Sequence, residues 1–280
     1  MADARLTQDV WLEQAPELVA ECAEEWELDL GQPYEPGAAG YAIRADRDDG
    51  TPAVLKLIYP HRESEHEADA LALLGGNGAV RLLARDDARS AMLLERCEPG
   101  TALAESGGEA ALDVLVELLP KHWVKAGDPF HTLEDEASWW IDYLPEQWEQ
   151  SGRAIERRLV DAAVDALRSL STSQGEQVLL NQDLHGDNVL AAGREPWLVI
   201  DPKPLVGERE FAVASIVRSS ELGHGKRAAL YRLDRLTSEL GLDRERARGW
   251  TIGQAMAWAF EDSYSAEHLD LVRWLLEDAE

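Results

Sequence analysis

The sequence predicts an α+β protein with a small N-terminal β-sheet lobe and a larger, mainly helical C-terminal lobe. In the first lobe, short apolar runs bounded by turn residues are typical of strands. These runs cover residues 41–45, 52–59, 79–84 and 90–95. Beyond Pro99-Gly100, a linker signal, apolar residues recur at three- and four-residue steps, as they do in amphipathic helices. We therefore place the two lobes at residues 1–96 and 97–280.

The N-terminal segment, residues 1–30, carries a helical stripe of its own. Apolar residues recur there at helical spacing, among them Ala15, Val19 and Cys22. Pro16 lacks a backbone N–H and is expected to interrupt the helix or to begin a new one. We assign this stripe to packing and not to chemistry.

The stretch from Val178 to Lys203 departs from the helical pattern and predicts short strands of a half-buried hairpin with polar side chains at their ends. These side chains are Asp183, Asn188 and Asp201. Magnesium prefers oxygen ligands and takes one or two protein groups beside phosphate oxygens, which suits Asn188 and Asp201. Asp183 is then left to accept a proton from a substrate hydroxyl group. Kinases divide the work in this way among an Asp, a following Asn and a second Asp.

A second register is possible, because residues 185–187 read His-Gly-Asp and would make Asp187 the base. The metal-binding Asn would then fall on Ala192, which cannot bind a cation. With Asp183 as the base, the same position falls on Asn188, so we prefer Asp183. The alternative is a plain polar turn, in which Asp, Asn and Gly are common.

A second pair of charged residues lies in the predicted sheet lobe. Lys56 interrupts the apolar strand 53–59, where an unpaired charge would be costly. Glu67 falls on the apolar stripe of a helix predicted over residues 62–74. Each charge is expensive to bury alone, and together they neutralise each other. Because kinases use such a Lys–Glu pair to hold the α- and β-phosphates of ATP, we assign both residues to nucleotide binding. A lysine on the polar face of a surface strand is the alternative.

Composition limits the class of protein. The chain has 280 residues, of which 45% are hydrophobic, so a globular fold with a substantial core is expected. No run approaches the length of a membrane-spanning helix, and the N-terminus lacks the pattern of a signal peptide. Cys22 and Cys97 are the two cysteines, and they predict free or buried thiols in a reducing cytoplasm.

The net charge is −27, from 54 acidic and 27 basic residues. Such a surface repels nucleic acid and anionic lipid, so neither is expected as a partner. It would attract polycations. A general effect on solubility is an equally good interpretation of the total charge.

The catalytic stretch resembles the aminoglycoside phosphotransferase family, and in particular its streptomycin and hydroxyurea kinase branch. The family motif Asp-x-His-x-x-Asn is matched by Asp183, His185 and Asn188, and the following Asp-Pro by Asp201-Pro202. The resemblance implies a protein-kinase-like two-lobed fold. In one departure, the usual His-Gly before the base is Asn181-Gln182. Since that pair normally supports the loop, the departure bears on rate and substrate more than on reaction type.

The resemblance also implies where adenine binds. The segment after the strand ending at Glu95 corresponds to the hinge of a two-lobed kinase, where main-chain groups of Glu95 and Cys97 would contact the base. Main-chain recognition leaves little trace in sequence, so the resemblance carries this assignment.

An acidic segment between Ala126 and Gly152 contains seven carboxylates and no Lys or Arg, with tryptophans interleaved. Carboxylates beside aromatic faces suit a ligand that bears guanidinium or ammonium groups. We place the substrate against Glu134 and Trp139, with a second acidic group at Glu261 and Asp262. A solvated helix face with its tryptophans turned inward is the alternative.

These observations predict a cytoplasmic, ATP- and Mg²⁺-dependent kinase, a monomer or dimer, that phosphorylates a hydroxyl group of a cationic small molecule. The leading substrate is an aminoglycoside or aminocyclitol such as streptomycin, which would make the protein an antibiotic-resistance transferase. A kinase of the same fold acting on a sugar, an amino alcohol or a hydroxyurea-like compound is one alternative. A nucleotide-binding regulator without turnover is another.

Overall fold

A computed structural model describes residues 8–34, 40–260 and 265–278. By their contacts the residues form two compact units, one of residues 1–100 with 191–201 and one of residues 101–190 with 202–280. The first unit is built on an antiparallel sheet and the second is mainly helical, which agrees with the predicted α+β class. The segment 191–201, which the sequence-based division placed with the helical lobe, belongs to the first unit by its contacts.

The sheet of the first unit has five antiparallel strands in the order β1-β2-β3-β5-β4. The strands are β1 (Leu28–Pro33), β2 (Gly40–Arg47), β3 (Pro52–Ile58), β4 (Leu82–Asp86) and β5 (Ala91–Glu95). Asp49-Gly50, a residue pair that favours hairpin turns, lies in the turn that joins β2 to β3, and Gly50 takes a φ of 76°, which glycine adopts without strain. The central strand β3 therefore has a neighbour on each side.

Helix α1 (Gln8–Glu25) packs against this sheet and runs through Pro16, so the predicted interruption is wrong. Apolar residues on both sides of the proline, Ala15 and Val19 among them, lie in one core with Leu55 and Leu57 of β3. Burial of a continuous apolar stripe offsets the backbone hydrogen bond that proline cannot make.

The predicted helix over 62–74 is shorter in the structure. Residues Arg62–Ser64 form a 3-10 turn, in which the Ser64 hydroxyl donates back to the carbonyls of Tyr59 and His61. Helix α2 begins only at Glu67 and extends to Leu74. Glu67 is thus in the first turn of α2, where the helix dipole favours a carboxylate.

The second unit holds seven helices within its described residues. They are α3 (Gly108–His122), α4 (Leu133–Gln150), α5 (Arg157–Ser171), α6 (Ala214–Arg218), α7 (Lys226–Leu240), α8 (Arg244–Trp258) and α9 (Ser265–Glu277). Helix α8 is central, because it contacts α4, α5, α6, α7 and α9 and is buried continuously from Trp250 to Ala257. Among the described residues, no helix has the length and apolar character needed to cross a bilayer.

Four short strands follow α5. Strand β6 (Val178–Asn181) pairs antiparallel with β9 (Pro204–Gly207), while β7 (Val189–Ala191) and β8 (Trp197–Val199) form a separate two-stranded hairpin. The predicted hairpin is thus correct for β7 and β8, but β6 has a partner that was not predicted. Gly207 is required in β9, since a Cβ there would lie 2.5 Å from Cβ of Leu133. Both ends of the catalytic stretch are therefore held by one buried strand pair.

Candidate active site

Lys56 lies at the middle of β3, opposite Ala42 of β2 and Met92 of β5. Its Nζ donates to both carboxylate oxygens of Glu67, at 2.7 and 2.8 Å, and also to the carboxylate of Asp201. The contact between Lys56 and Glu67 that the stripe of α2 predicts is therefore present. Glu67 is only 1% exposed, so this is a buried ion pair with a second carboxylate at its edge.

Burial and charge act against each other in this cluster. Burial alone would lower the pKa of Lys56, but the carboxylates of Glu67 and Asp201 outweigh it and raise the pKa above its ordinary value. Burial raises the pKa of Glu67, and Lys56 opposes that rise. Two carboxylates share one ammonium group, so the cluster holds more negative than positive charge. A divalent cation at the more exposed Asp201 would offset the excess.

Asp201 has an uncommon backbone conformation. Its φ is +53°, in the left-handed region that residues other than glycine rarely adopt, although Asp tolerates it better than most. This conformation occurs two residues after the end of β8 and accompanies the contact between the Asp201 carboxylate and Lys56. Backbone strain of this kind is concentrated at functional sites.

Asp183 follows β6 in the second unit and is 8% exposed. Its Oδ1 accepts a hydrogen bond from Nη2 of Arg218 at 2.8 Å, and its Oδ2 lies 3.0 Å from Nζ of Lys203. Both cations lie over the indole ring of Trp258, with Arg218 Cζ at 3.7 Å and Lys203 Nζ at 5.1 Å from the ring centroid. The carboxylate is thus held between two positive charges.

These charges determine the ionisation of Asp183. Burial alone would raise its pKa, but Lys203, Arg218 and His185 together outweigh burial and lower the pKa below the ordinary value of an aspartate. The carboxylate is therefore ionised at neutral pH, as a group that accepts a hydrogen bond from an alcohol must be.

Asn188 is braced against the same loop. Its Nδ2 donates to the carbonyl of Asp183 at 3.0 Å and lies 3.1 Å from Nε2 of His185. Nδ1 of His185 is 3.6 Å from the carboxylate of Glu221, so His185 supports the loop from the other side. These bonds orient the amide of Asn188, and no hydrogen bond within the described part of the chain uses its Oδ1.

Each unit, taken by itself, contains one oxygen group of the kind that binds magnesium. Oδ1 of Asn188 is left without a donor by the orientation of its amide, and the carboxylate of Asp201 belongs to a cluster with excess negative charge. Both are hard oxygen ligands of the kind that Mg²⁺ takes beside phosphate oxygens. Asp187 has an exposed side chain (61%) and takes no part in the contacts that hold Asp183.

The predicted hinge begins where β5 ends. The carboxylate of Glu95 accepts hydrogen bonds from Arg194 and from the N–H of Arg81, and the N–H of Glu95 donates to the carbonyl of Arg81. The side chain of Glu95 is therefore structural. Cys97 is half-buried, and burial raises the pKa of its thiol to about 11. No backbone–backbone hydrogen bond among the described residues uses the N–H or C=O of Cys97.

The predicted substrate residues differ in where the structure places them. Trp139 on α4 is 47% exposed and stacks on Tyr143, with ring centroids 4.7 Å apart, while its neighbour Trp140 is buried. Glu134 is also exposed, but it is five residues from Trp139 and so lies roughly 140° away around the helix. The two do not share a face, and the expected wall of interleaved acids and tryptophans is wrong in this respect. Glu261 and Asp262 lie outside the described residues.

The sequence reasoning missed three residues around Asp183. Lys203 is contained in the Asp-Pro-Lys-Pro segment after Asp201, and its charge beside a metal-binding position was an available signal. Arg218 and Trp258 end two separate helices, α6 and α8. No local pattern connects them to Asp183, because only tertiary packing brings them together.

Solved structures of kinases resemble this fold. The crystal structure of choline kinase LicA from Streptococcus pneumoniae aligns with a TM-score of 0.68, covering 95% of this chain and 99% of that chain at 13% sequence identity. The predicted protein-kinase-like fold is therefore confirmed, and it defines the fold class of the chain.

Sequence comparison gives the family within that class. The model of the family described as aminoglycoside/hydroxyurea antibiotic resistance kinase matches residues 35–263, and the chain belongs to this family of phosphotransferases. A hydroxyurea phosphotransferase of Kitasatospora aureofaciens is 38% identical over 263 residues, covering 90% of this chain and 75% of the relative. A streptomycin 6-kinase of Streptomyces griseus is 36% identical over 266 residues, covering 91% of this chain and 86% of the relative. The predicted family and branch are confirmed.

Proposed function

We propose that the protein transfers the γ-phosphoryl group of ATP to a hydroxyl group of streptomycin or a related aminocyclitol. The observation that carries the proposal is the environment of Asp183, a buried carboxylate kept ionised by Lys203 and Arg218. The streptomycin 6-kinase activity of a relative 36% identical over most of both chains supports the choice of acceptor.

Asp183 acts on the acceptor. Its ionised carboxylate accepts a hydrogen bond from the attacking hydroxyl group, orients its oxygen and takes its proton as the bond to phosphorus forms. A carboxylate of lowered pKa is a weak base, so most of its contribution is orientation. The neighbouring guanidinium and ammonium groups provide positive charge in a region where the transferred group carries negative charge.

Lys56 and Glu67 act on the nucleotide. The ammonium group of Lys56, held by Glu67, binds the α- and β-phosphates, and Asn188 and Asp201 bind magnesium. When bound, magnesium neutralises charge on the β- and γ-phosphates. The AMP complex known for LicA, a structural neighbour, is consistent with an adenine nucleotide as the donor.

Glu95 and Cys97 bind adenine through main-chain groups in this proposal, and the thiol of Cys97 reports on it. Because burial raises the pKa of that thiol to about 11, it is mostly neutral at pH 8, and its alkylation is slow there and becomes faster as the pH rises toward that value. Bound MgATP is expected to slow alkylation of Cys97 further at any pH. Peptide mass spectrometry after iodoacetamide treatment measures this. Modification of Cys97 at the same rate with and without MgATP would contradict the hinge assignment.

Trp139 offers a flat aromatic face to a guanidinium-bearing acceptor, with Asp142 one turn further along α4. Trp139→Ala is expected to raise KM for streptomycin by about threefold to thirtyfold, the range of a cation–π contact worth roughly 0.5–2 kcal/mol. KM for MgATP is expected to be unchanged. Tyr231→Ala, which removes another exposed aromatic ring on α7, is the matched control. A shift in both KM values, or equal effects of the two variants, would remove Trp139 from the substrate site.

Arg218 is expected to determine the pH at which kcat/KM falls on the acidic side of its pH profile. The folded-state pKa of Asp183 is depressed, so its carboxylate stays ionised until the pH falls through that lowered value. Arg218→Met removes one of the two cations and leaves the effect of burial, so the acid limb of kcat/KM is expected to move to higher pH. Arg157→Met is the control, because Arg157 also stacks on a tryptophan and pairs with an aspartate, Asp161, but at the surface. Superimposable acid limbs for wild type and Arg218→Met would contradict the account.

The proposed reaction is tested by ADP release from MgATP in the presence of a panel of acceptors. Streptomycin, other aminoglycosides and hydroxyurea form the panel, the last because a relative is a hydroxyurea phosphotransferase. The expected result is acceptor-dependent ADP release that is fastest with streptomycin. Release that is fastest with hydroxyurea would assign the protein to the other activity of its branch.

A further inference from the structure

Asn181 occupies the position of the family's usual histidine, and its side chain has a defined task in this structure. It ends β6, is 7% exposed, and pairs with Pro204 at the last position of the β6–β9 ladder. One further backbone bond follows this pair, from the N–H of Gln182 to the carbonyl of Lys203, and the two strands then separate. After β6 the chain continues to Asp183, and Lys203 immediately precedes β9.

One oxygen connects the two separating segments. Oδ1 of Asn181 accepts the backbone N–H of Asp183 at 3.0 Å and the backbone N–H of Lys203, also at 3.0 Å. The side chains of those same two residues meet, with Nζ of Lys203 3.0 Å from Oδ2 of Asp183. Oδ1 of Asn181 therefore binds the backbones of both members of this ion pair. We call these two hydrogen bonds the bracket.

The orientation of the amide supports this role. Two N–H donors fix its oxygen, and its Nδ2 consequently faces a buried region where it has no hydrogen-bond partner in the described part of the chain. An unsatisfied buried donor costs about 1–3 kcal/mol. The two bonds that Oδ1 accepts compensate for this cost in the folded protein.

We propose that Asn181 is a positioning residue of the reaction, which sets the carboxylate of Asp183 against the ammonium group of Lys203 through their two backbone N–H groups. The proposal rests on the proposed function, since it concerns the geometry of the group that orients the acceptor. Asn181 itself contacts neither nucleotide nor acceptor in this scheme. Its substitution should therefore change the rate of transfer and leave nucleotide binding intact.

The test compares Asn181→Leu, which keeps the approximate shape but removes the acceptor, with Asn181→Asp, which keeps an oxygen in place. Asn181→Leu is expected to lower kcat about tenfold to a hundredfold, the effect of a displacement of the order of 1 Å. KM for MgATP is expected to stay within about twofold, as for an interaction that matters in the transition state only. Asn181→Asp is expected to recover most of the lost rate. Thr237→Val removes a buried hydroxyl that donates to the carbonyl of Leu233 within α7, and it is the control for loss of stability alone.

A double-mutant cycle tests the partner. In a Lys203→Met background, Asn181→Leu is expected to lower kcat by a clearly smaller factor than it does in the wild type. The reason is that the ion pair between Asp183 and Lys203, which the bracket positions, is already absent. Additive effects of the two substitutions on kcat would contradict the proposal.

Amide hydrogen exchange gives a readout that needs no activity. In Asn181→Leu the N–H groups of Asp183 and Lys203 are expected to exchange at least about tenfold faster, while the N–H of Gln182, which donates to the carbonyl of Lys203, keeps its protection. Unchanged protection of both amides would overturn the proposal.

If the wild type phosphorylated no acceptor, the proposed function would fail and the exchange experiment would still decide whether the bracket exists. If the wild type were active and Asn181→Leu equally fast, the positioning role alone would fail.

Discussion

Asp183→Asn is expected to lower kcat at least about a hundredfold, the lower range for loss of a positioned general base. The substitution keeps the shape of the side chain but removes the charge that accepts the hydrogen bond and proton of the acceptor. KM for MgATP is expected to change little, because the proposed mechanism assigns nucleotide binding to Lys56, held by Glu67, and not to Asp183. Steady-state kinetics with streptomycin as the acceptor measure both constants.

Asp187→Asn is the matched control, since it makes the same chemical change four residues later in the same loop. Its side chain is largely exposed, whereas that of Asp183 is buried between Arg218 and Lys203. The control is expected to keep nearly the wild-type rate. If Asp187→Asn were the inactive variant and Asp183→Asn the active one, the motif would have to be read from His185-Gly186-Asp187.

Glu208→Leu is expected to lower the free energy of unfolding by about 3–5 kcal/mol, the usual cost of removing one partner from a buried ion pair. Glu208 follows β9, is 2% exposed, and accepts hydrogen bonds from Arg246, Trp250 and the N–H of Gly175. The substitution leaves the indole N–H of Trp250 buried without its acceptor and the guanidinium of Arg246 without its carboxylate. Urea unfolding followed by tryptophan fluorescence measures the change.

Two variants establish the cause of this loss. Glu208→Leu with Arg246→Met removes both charges and is expected to recover part of the stability. Glu156→Leu breaks an ion pair with Arg273 that is exposed to solvent, and it is expected to have only a small effect. If Glu208→Leu were no more destabilising than Glu156→Leu, the buried network would not be a determinant of this unit's stability.

The elements best predicted from sequence are those whose evidence is local. The strands around Asp49-Gly50 and the contact between Lys56 and Glu67 follow from alternation, turn chemistry and the cost of burying a charge. The path of α1 through Pro16 could not be predicted in this way. There, burial against the sheet outweighs a local rule, and only the packed structure shows it.

The surroundings of Asp183 show what local sequence evidence cannot predict. The choice of Asp183 over Asp187 rested on its spacing to Asn188 and on the second carboxylate, Asp201, that follows on the next strand. The two cations that lower its pKa come from Lys203 and Arg218, and the ring beneath them comes from Trp258. No local pattern in the sequence indicates that the last residues of α6 and α8 meet at a carboxylate.

The departure at Asn181-Gln182 was recognised in the sequence as one that concerns support of the loop. Which support it provides depends on the pairing of β6 with β9, and that pairing was not predicted. Once Asn181 is opposite Pro204, the bonds of its side-chain oxygen to Asp183 and Lys203 follow from the geometry.

The central claim is that an ionised Asp183 directs a hydroxyl group of a cationic acceptor toward the γ-phosphate of ATP. Mass spectrometry of streptomycin after incubation with MgATP and the wild-type protein tests it most directly. The account predicts a product heavier by one phosphoryl group, formed in step with ADP, and almost none with Asp183→Asn. Formation of that product at an undiminished rate by Asp183→Asn would contradict it.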